Sequence, residues 1–585
     1  MKTLVSFAAL ATALACAATP SLATAQDADG DAQPRVIVFG DSLSDGGFFT
    51  QILPLAPGEG SFTTNPDPVA PEVFAALLGD ELQTAYGEGG LNFAIGGARV
   101  EEPSGITIPI ATQVENYVAS GGTFEDGDIV YIQGGGNDFF AFVRGGGTDP
   151  TILSDAATAL ADTVDRLEEL GADRIVTMSI QSNSAAIDFF NTTYKNALVA
   201  NGANVLFFDT AQLFNEIVAN PTQFGITNVT GVACVGSSLS CGPEDYVTPN
   251  ANRTYLLADS AHPAGITQEI QGQAIASLFT GFTLPGAIAR SGQRVIRSQR
   301  AQLEGIERNG LNPDGGIGLF GHGSFDLYDE TVSGLEQETA GAMLGLTYDV
   351  SAATGFGIAA GYADGRGDIE GNGDLSDVDH ETWTVHGFAR GGVGPFNAMA
   401  DLTYGEGDID IIRILPLGPA IRVQGSQTET ELLGARASLG LDYAIDSFRV
   451  GTEVGVAYER VRVDGFSEDG GFSTSLTVDE VEYESLTGRA GLVASAPITG
   501  GAGFFARATY IHEFEDADNV FTVTPNGAPV SYTSSYAYED RDYAEVALGL
   551  SGNLGGVIAR AGAAAEVFRT DQQAVTVYGG LALPF

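Results

Sequence analysis

One serine, one histidine and one aspartate are spaced so that together they could cleave an ester. Ser42 lies in the run GDSL at residues 40–43, directly after the apolar run 36–39, and would sit in a turn at the carboxyl edge of a parallel sheet. His262 is the only histidine among the first 321 residues and follows Asp259 by three positions. A serine nucleophile needs a base to take its proton and a carboxylate to orient that base. The sequence therefore predicts a Ser42–His262–Asp259 triad.

Two glycine-containing segments could supply hydrogen-bond donors to an oxyanion. In the run NFAIGGA at residues 92–98, the backbone N–H of Gly97 is the first candidate, and that of Gly96 replaces it if the turn is shifted by one residue. In the run GGND at residues 135–138, the side-chain amide of Asn137 can donate. Each segment alone also fits an ordinary glycine loop, as GDSL alone fits a common turn and His262 a surface position. Four such segments in this order are harder to explain as loops.

The segments that carry these residues alternate between strand-like and helix-like patterns. Short apolar runs at 36–39, 129–132, 174–178 and 205–208 are typical of buried parallel strands, and apolar residues recur at helical spacing over 151–170. This rhythm predicts a parallel sheet with helices on both faces.

Composition and charge exclude several classes of protein. The formal net charge is −49, which argues against binding to nucleic acid, because that requires a basic face. A hydrophobic content of 44% with only 17% charged residues argues against a disordered chain. With 585 residues, two or more domains are expected.

The N-terminus and the cysteines place the protein outside the cytoplasm. An apolar run at 4–18 and an Ala-x-Ala site at 23–25 predict a signal peptide over residues 1–25. A short buried helix or a lipoprotein signal ending at Cys16 are the weaker alternatives. The two remaining cysteines, Cys234 and Cys241, predict a disulfide that closes a short loop. A metal site there would need further ligands, and the nearby sequence offers none.

Residues 311–585 have the pattern of a membrane barrel. Twelve segments of about 10–14 residues alternate apolar with small or polar residues, and the last ends in alternating apolar positions up to Phe585. A soluble β-sandwich or solenoid is the alternative. We expect the acidic stretches 364–379 and 406–410 to be water-exposed connections between strands. The segments start near residues 315, 337, 354, 380, 395, 428, 447, 482, 501, 540, 556 and 573.

A basic segment separates the two acidic regions. Residues 286–310 contain five arginines and two glutamates. Arg290, Arg294 and Arg297 are spaced so that they form a stripe along one face of a helix. A solvated surface helix or a linker is the alternative interpretation.

The four segments around Ser42, Gly97, Asn137 and His262 resemble the sequence blocks of the GDSL/SGNH hydrolases. An N-terminal domain, called the passenger, followed by a linker and a barrel is an order of domains that resembles that of the esterase autotransporters. These form a branch of that family which uses type V secretion. This resemblance implies a flavodoxin-like α/β/α sandwich passenger followed by a transmembrane antiparallel barrel of 12 strands. The implied domain limits are a signal peptide at 1–25, a passenger at 26–285, a linker helix through the barrel at 286–310, and a barrel at 311–585.

The same resemblance implies roles for individual residues. Ser42 would be the nucleophile, His262 the base and Asp259 the carboxylate that orients it. The oxyanion hole would consist of the Ser42 N–H, the Gly97 N–H and the Asn137 side chain. No metal or cofactor is expected. Relatives often carry a Gly-Leu-Pro turn where this chain has SIQSN at 179–183, a departure that concerns the shape of the acyl pocket.

The resemblance also implies a location and partners. We expect an outer-membrane protein of a Gram-negative bacterium with its passenger at the cell surface, acting on an ester or lipid substrate. Periplasmic chaperones and the machinery that assembles outer-membrane barrels are the expected protein partners. A helix would pass through the pore, where Arg290, Arg294 and Arg297 could pair with carboxylates of the lumen. A passenger without activity, such as an adhesin, or an esterase for acetylated polysaccharide or phospholipid, are the alternative functions.

Overall fold

Two structural units follow each other along the chain, and one long helix is shared between them. The computed structural model describes residues 35–585 except 88, 182–183, 332, 372–373, 499–501, 516–518 and 537–539. The predicted signal peptide and Cys16 lie outside the described residues.

The first unit is built on a parallel sheet of four strands. The strands lie side by side in chain order, and every neighbouring pair is parallel. Their β-branched and aromatic side chains alternate between two buried clusters, one on each face of the sheet. The strands are β1 (Val36–Phe39), β2 (Ile129–Ile132), β3 (Arg174–Met178) and β4 (Leu206–Phe208).

Helices cover both faces of this sheet, which confirms the predicted α/β/α sandwich. One cluster, with Val114, Leu160 and Phe190, joins three helices to one face, and the other, with Phe74 and Leu213, joins further helices to the opposite face. The helices of this unit that precede the long one are Ala70–Leu77, Ile110–Ala119, Gly136–Arg144, Thr151–Glu169, Ala185–Asn201, Thr210–Ala219 and Ala251–Thr254. A small parallel pair, Asn228–Val232 with Tyr255–Leu257, lies beside them.

The second unit is a closed antiparallel barrel of 12 strands, as predicted. Apolar residues such as Leu344, Ile358 and Leu402 face outward, while charged and polar residues face the lumen. The strands are Gly316–Glu330, Leu335–Ser351, Thr354–Gly371, Asp374–Val393, Phe396–Leu417, Ala420–Ile445, Phe448–Val463, Val481–Pro497, Ala502–Glu513, Asp542–Leu554, Val557–Val567 and Gln572–Pro584.

The acidic stretches 364–379 and 406–410 correct one expectation. They are not connections between strands, because the described residues of both belong to strands of the barrel. The strands starting at Asp374 and Ala420 therefore begin six to eight residues before the predicted positions near 380 and 428. The polar ends of these strands extend the barrel beyond the band of apolar residues that is expected to lie in the membrane.

The long helix, Gly265–Asn309, connects the two units without interruption and contains Pro285. Its first turns, with Ile270 and Ala274, belong to the passenger core. Farther along, Leu303 and Ile306 pack against residues of the barrel wall such as Phe320 and Met343. The segment 286–310 is thus the second part of a helix that begins 21 residues earlier, and it occupies the barrel lumen. Within the described residues, no helix is both long enough and apolar enough to cross a membrane.

A small sheet above the barrel, which we call the outer sheet, contacts the passenger. Its strands are Phe466–Ser467, Leu476–Val478, Asn519–Pro525 and Tyr532–Tyr536. Asn204 of the passenger exchanges two hydrogen bonds with the backbone of Thr533, at 2.7 and 2.9 Å. Nearby, Glu216 of the passenger pairs with Arg422 of the barrel at 2.7 Å. The passenger is therefore held to the barrel unit by these polar contacts as well as by the long helix.

Candidate active site

Ser42, His262 and Asp259 form one continuous hydrogen-bonded chain. Nε2 of His262 lies 2.8 Å from Oγ of Ser42, and Nδ1 of the same ring lies 2.8 Å from Oδ1 of Asp259. Ser42 enters the site from the turn after β1, while the other two residues share one tight turn before the long helix. The structure thus brings together three side chains that are up to 220 residues apart in the chain.

The Asp259 carboxylate is held by several donors in addition to the imidazole. Oδ1 accepts the backbone N–H groups of Ala261 at 2.9 Å and His262 at 3.0 Å, and Oδ2 accepts that of Ser238 at 3.0 Å. Burial alone would raise the pKa of Asp259, but the hydrogen bond and charge of His262, with the bonds from Ser238 and Ala261, outweigh it and hold the pKa below its usual range. The group therefore remains an anion that can stabilise an imidazolium.

The turn after β1 is shaped by Asp41, whose side chain points back into the protein. Its Oδ1 accepts the N–H of Leu43 at 3.0 Å, and its backbone oxygen accepts that of Ser44 at 3.1 Å. These bonds close the turn around Ser42, whose side chain borders the cleft. Burial raises the pKa of Asp41 to about 6, although the Leu43 N–H and the charge of His262 partly oppose this.

The predicted oxyanion donors line the same cleft as Ser42. The N–H of Gly96 is already taken, because it donates to Oδ2 of the buried Asp45 at 2.7 Å. The N–H of Gly97 has no acceptor within the described residues. Gly97 has φ +87°, a left-handed conformation that favours glycine. Of the two alternatives, Gly97 is therefore the one available to a ligand.

The amide of Asn137 completes the set of donors. Its Nδ2 donates to the backbone oxygen of Ala98 at 3.0 Å and lies 3.5 Å from Oδ2 of Asp41, the outer limit of a hydrogen bond. One of its two N–H groups is therefore firmly held, and the other can turn to a substrate. The adjacent Asp138 fixes this position, since its buried carboxylate pairs with Arg99 at 2.8 Å and accepts the Val100 N–H at 3.0 Å.

The cleft beside the triad has a volume of about 480 Å³. Aromatic and aliphatic side chains form most of its wall, while the polar lining groups cluster around Ser42 and the donors. The SIQSN turn contributes Ile180 and Gln181, and its residues 182–183 lie outside the described residues. The apolar lining residues are Leu43, Phe62, Phe139, Phe140, Ile180, Ile187 and Ala261.

The two cysteines are bonded to each other close to the triad. Cys234 and Cys241 form a disulfide with a Cα–Cα distance of 5.8 Å, and both are buried. The loop that it closes contains Ser238, whose Oγ lies 3.1 Å from Nδ1 of His262. Among the described residues, no group of three or more histidine, cysteine or carboxylate side chains could hold a metal ion.

The arginine stripe of the long helix lies inside the barrel and is paired there. Arg290 contacts Glu330 at 2.6 Å. Arg294 contacts Asp326 at 2.6 Å and Glu566 at 2.9 Å, and Arg297 contacts Glu566 at 3.1 Å. All three side chains are largely buried. Glu330 and Asp326 lie on the strand Gly316–Glu330, and Glu566 lies on Val557–Val567, which is two strands away in the barrel wall. Further ion pairs between this helix and the barrel wall are Arg297–Glu459, Arg300–Asp401, Arg300–Glu459 and Glu304–Arg507.

Sequence reasoning did not identify three residues that shape the site: Asp45, Ser238 and Phe62. The ring of Phe62 packs on the imidazole of His262, with centroids 4.9 Å apart. Asp45 could have been suspected because it is an acidic residue two positions after the GDSL run, and a carboxylate buried there has to find hydrogen-bond donors. Ser238 could have been suspected from its place inside the loop between two cysteines.

Comparison with known proteins agrees with this layout. The family model of the GDSL-like lipase/acylhydrolases matches residues 36–221, and that of the autotransporter beta-domain matches residues 318–563. The chain is 27% identical to "Esterase EstA" of Pseudomonas aeruginosa over 91% of this chain and 93% of that protein. It is 22% identical to "Lipase 1" of Photorhabdus luminescens, covering 88% of this chain and 90% of that protein.

Among solved structures, the translocator domain of the autotransporter NalP from Neisseria meningitidis is similar to the barrel. The match has a TM-score of 0.40 and 18% identity and covers 51% of this chain and 98% of that one. The two family models together account for both structural units described above. The chain thus combines a GDSL-like hydrolase domain with an autotransporter beta-domain, an organisation that places the barrel in the outer membrane and the hydrolase domain at the cell surface.

Proposed function

We propose that this protein is a carboxylester hydrolase, an esterase or lipase of the GDSL type, that works at the cell surface through an acyl-enzyme. The single observation that carries the proposal is the hydrogen-bonded chain from Ser42 through His262 to Asp259, which opens into a cleft with unused donors. The similar proteins described above, an esterase and a lipase, support the same reaction class.

The first step forms the acyl-enzyme. His262 Nε2 accepts the proton of Ser42 as Oγ attacks the carbonyl carbon of the ester, and the carbonyl oxygen becomes an oxyanion. Asp259 keeps the proton of Nδ1 in place and stabilises the imidazolium that forms. The imidazolium then gives its proton to the leaving alcohol, and the acyl group remains on Ser42.

The oxyanion is stabilised by the Ser42 N–H, the Gly97 N–H and the Asn137 amide. Each donor of this kind lowers the barrier by about 2.7–4 kcal/mol in comparable sites. In the second half of the reaction, His262 takes a proton from water and the resulting hydroxide attacks the acyl carbon. The bond between this carbon and Oγ of Ser42 then breaks, the carboxylic acid leaves, and Oγ takes the proton back from His262.

The shape of the cleft supports an ester with an apolar acyl group. Phe139, Phe140 and Ile187 provide apolar surface beside the nucleophile, and burial of each acyl CH₂ against such surface is worth about 0.8 kcal/mol. An acetylated polysaccharide would leave most of this wall unfilled.

The proposed function assigns a part to each region of the chain. Residues 26–285 form the passenger, 286–310 the part of the long helix that fills the pore, and 311–585 the barrel. After removal of the signal peptide 1–25, periplasmic chaperones and the barrel assembly machinery would deliver the chain to the outer membrane.

A fluorophosphonate probe tests the assignment of the nucleophile. Such probes react irreversibly with serines activated by a neighbouring base. The full-length protein in outer membranes should be labelled with one probe per chain, and Ser42→Ala should not be labelled at all. Ser154→Ala, a change on the outer helix Thr151–Glu169, is the matched control and should be labelled like the wild type. Equal labelling of Ser42→Ala and wild type would overturn the proposal.

A further inference from the structure

The loop closed by the disulfide reaches the triad through Ser238. This residue is fully buried, and its N–H is the donor to Oδ2 of Asp259 at 3.0 Å. Its hydroxyl lies 3.1 Å from Nδ1 of His262. The other donors to Asp259, from Ala261 and His262, belong to its own turn and bind Oδ1. Besides Nδ1 of the imidazole itself, Ser238 thus provides the hydrogen bond that fixes the second carboxylate oxygen.

The ends of this loop are anchored beside the residues it supports. The N–H of Cys234 donates to the backbone oxygen of Ala258, the neighbour of Asp259, at 2.9 Å. The disulfide ties Cys241 to this anchor, seven residues along the chain. A covalent link over so short a loop removes most of the conformations in which Ser238 would leave Asp259.

The same loop also holds the segment that carries Phe62. The N–H of Gly60 donates to the backbone oxygen of Leu239 at 3.1 Å. Asn65 binds the loop twice, from its side chain to Ser238 O at 2.7 Å and from its backbone to Cys241 O at 2.9 Å. Since Phe62 packs on the ring of His262, the loop constrains the imidazole from its face as well as through its carboxylate partner.

We propose that the loop 234–241 is a brace for the catalytic base, in which Ser238 is the positioning residue and the Cys234–Cys241 disulfide keeps it in place. This inference rests on the proposed function, because it assigns a role within the same reaction. The brace touches neither the ester nor the oxyanion. Its loss should therefore reduce turnover by letting Asp259 and His262 leave their productive orientation, while substrate binding in the cleft remains.

Two independent variants of the full-length protein test the brace. Ser238→Ala removes the hydroxyl beside Nδ1 of His262 but leaves the disulfide and the backbone N–H that binds Asp259. The double variant Cys234→Ser/Cys241→Ser removes the covalent link that holds both of these groups in place. We expect kcat for p-nitrophenyl butyrate to fall about tenfold in each, with KM within about twofold of wild type. Ser237→Ala is the matched control, since Ser237 is exposed in the same loop and its side chain contacts neither Asp259 nor His262 within the described part of the chain; it accepts the N–H of Leu239.

Titration of active sites with the fluorophosphonate separates positioning from folding. Each kcat is divided by the number of sites that the probe labels at completion. A lower rate per labelled site in both variants supports the brace. If only the number of labelled sites falls, or if both variants turn over like Ser237→Ala, the brace is wrong while the esterase assignment stands. Absence of Ser42-dependent hydrolysis in the wild type would instead overturn the proposed function.

Discussion

Oδ2 of Asp45 accepts the backbone N–H of Gly96 at 2.7 Å, and this bond occupies one of the two glycine N–H groups considered as oxyanion donors. Oδ1 of the same carboxylate accepts the N–H groups of Gly47 at 2.9 Å and Phe48 at 2.7 Å. Asp45 thus ties the turn after Ser42 to the glycine turn at 96–97. The two backbone donors proposed for the oxyanion hole, Ser42 and Gly97, are positioned by one buried side chain.

The Asn137 side chain should act on the transition state and not on substrate binding. We expect Asn137→Ala to lower kcat by about 10²–10³, the usual effect of removing one oxyanion donor, with KM changed less than about threefold. Steady-state kinetics with a soluble p-nitrophenyl ester measure both constants. Asn201→Ala, at an exposed helix end, is the control. A rise in KM at constant kcat would place Asn137 in substrate binding instead.

Asp259 should be required as a charged acceptor. In Asp259→Asn the amide cannot accept from Nδ1 and stabilise the imidazolium as the carboxylate does, so we expect kcat to fall about 10³–10⁴-fold. Because the pKa of Asp259 lies below its usual range, the wild type should show no loss of activity from its protonation between pH 5 and 8. Exposed Asp126→Asn is the control. A loss of less than tenfold in Asp259→Asn would contradict the triad.

Asp45 should make the stability of the passenger depend on pH. Burial raises the pKa of Asp45 to about 6, against 3.8 for the free side chain, although the N–H groups of Phe48, Gly47 and Gly96 oppose the shift. Its folded pKa is raised, so its contribution to stability is full below about pH 4 and is lost as the pH rises to about 6. Between about pH 4 and pH 6, the free energy of unfolding of Asp45→Asn should therefore rise by about 2–3 kcal/mol relative to that of the wild type.

This effect is read from calorimetric unfolding of the passenger in the full-length protein between pH 4 and 7. Loss of a backbone acceptor in Asp45→Asn adds a constant offset, so the comparison concerns the slope with pH and not the absolute midpoint. Asp126→Asn should run parallel to the wild type. Parallel curves for Asp45→Asn as well would show that the carboxylate is charged at all these pH values.

Arg294 should stabilise the barrel through its two buried partners. Arg294→Gln leaves Asp326 and Glu566 without this cation, and breaking a buried pair in this way costs about 3–5 kcal/mol. The expected result is a lower temperature at which the purified protein loses its compact form on gel electrophoresis. Arg366→Gln, on the exposed side of a strand, is the control. An unchanged midpoint would mean that the ion pairs do not stabilise the filled pore.

Much of the architecture was predictable because its signals are local and repeated. Short apolar runs mark the buried strands β1 to β3 to the residue, and alternating apolar positions give twelve barrel strands. The predicted strand boundaries in the barrel were wrong where the side chains become polar while the backbone continues as a strand. The acidic ends around 364–379 continue as strand because backbone pairing with their neighbours persists after the side chains have left the apolar band.

The site was predictable only as far as residue types and spacing carry chemistry. Ser42, Asp259 and His262 stand in recognisable runs. Ser238 contacts Asp259 through a backbone N–H that any residue except proline provides, and the position of its hydroxyl beside His262 depends on the fold of the loop. The choice between Gly96 and Gly97 depends on a side chain 51 residues away and on a positive φ, neither of which a single sequence displays. The start of the long helix at Gly265 was not predicted either, because the arginine stripe that indicated a helix begins only at Arg290.

Hydrolysis of a p-nitrophenyl ester by intact cells tests the central claim most directly. Cells that display the wild-type protein should release p-nitrophenol, and cells that display equal amounts of Ser42→Ala should fall to the rate of cells without the protein. Surface amounts are matched with an antibody against the passenger. Equal rates for wild type and Ser42→Ala would contradict the account.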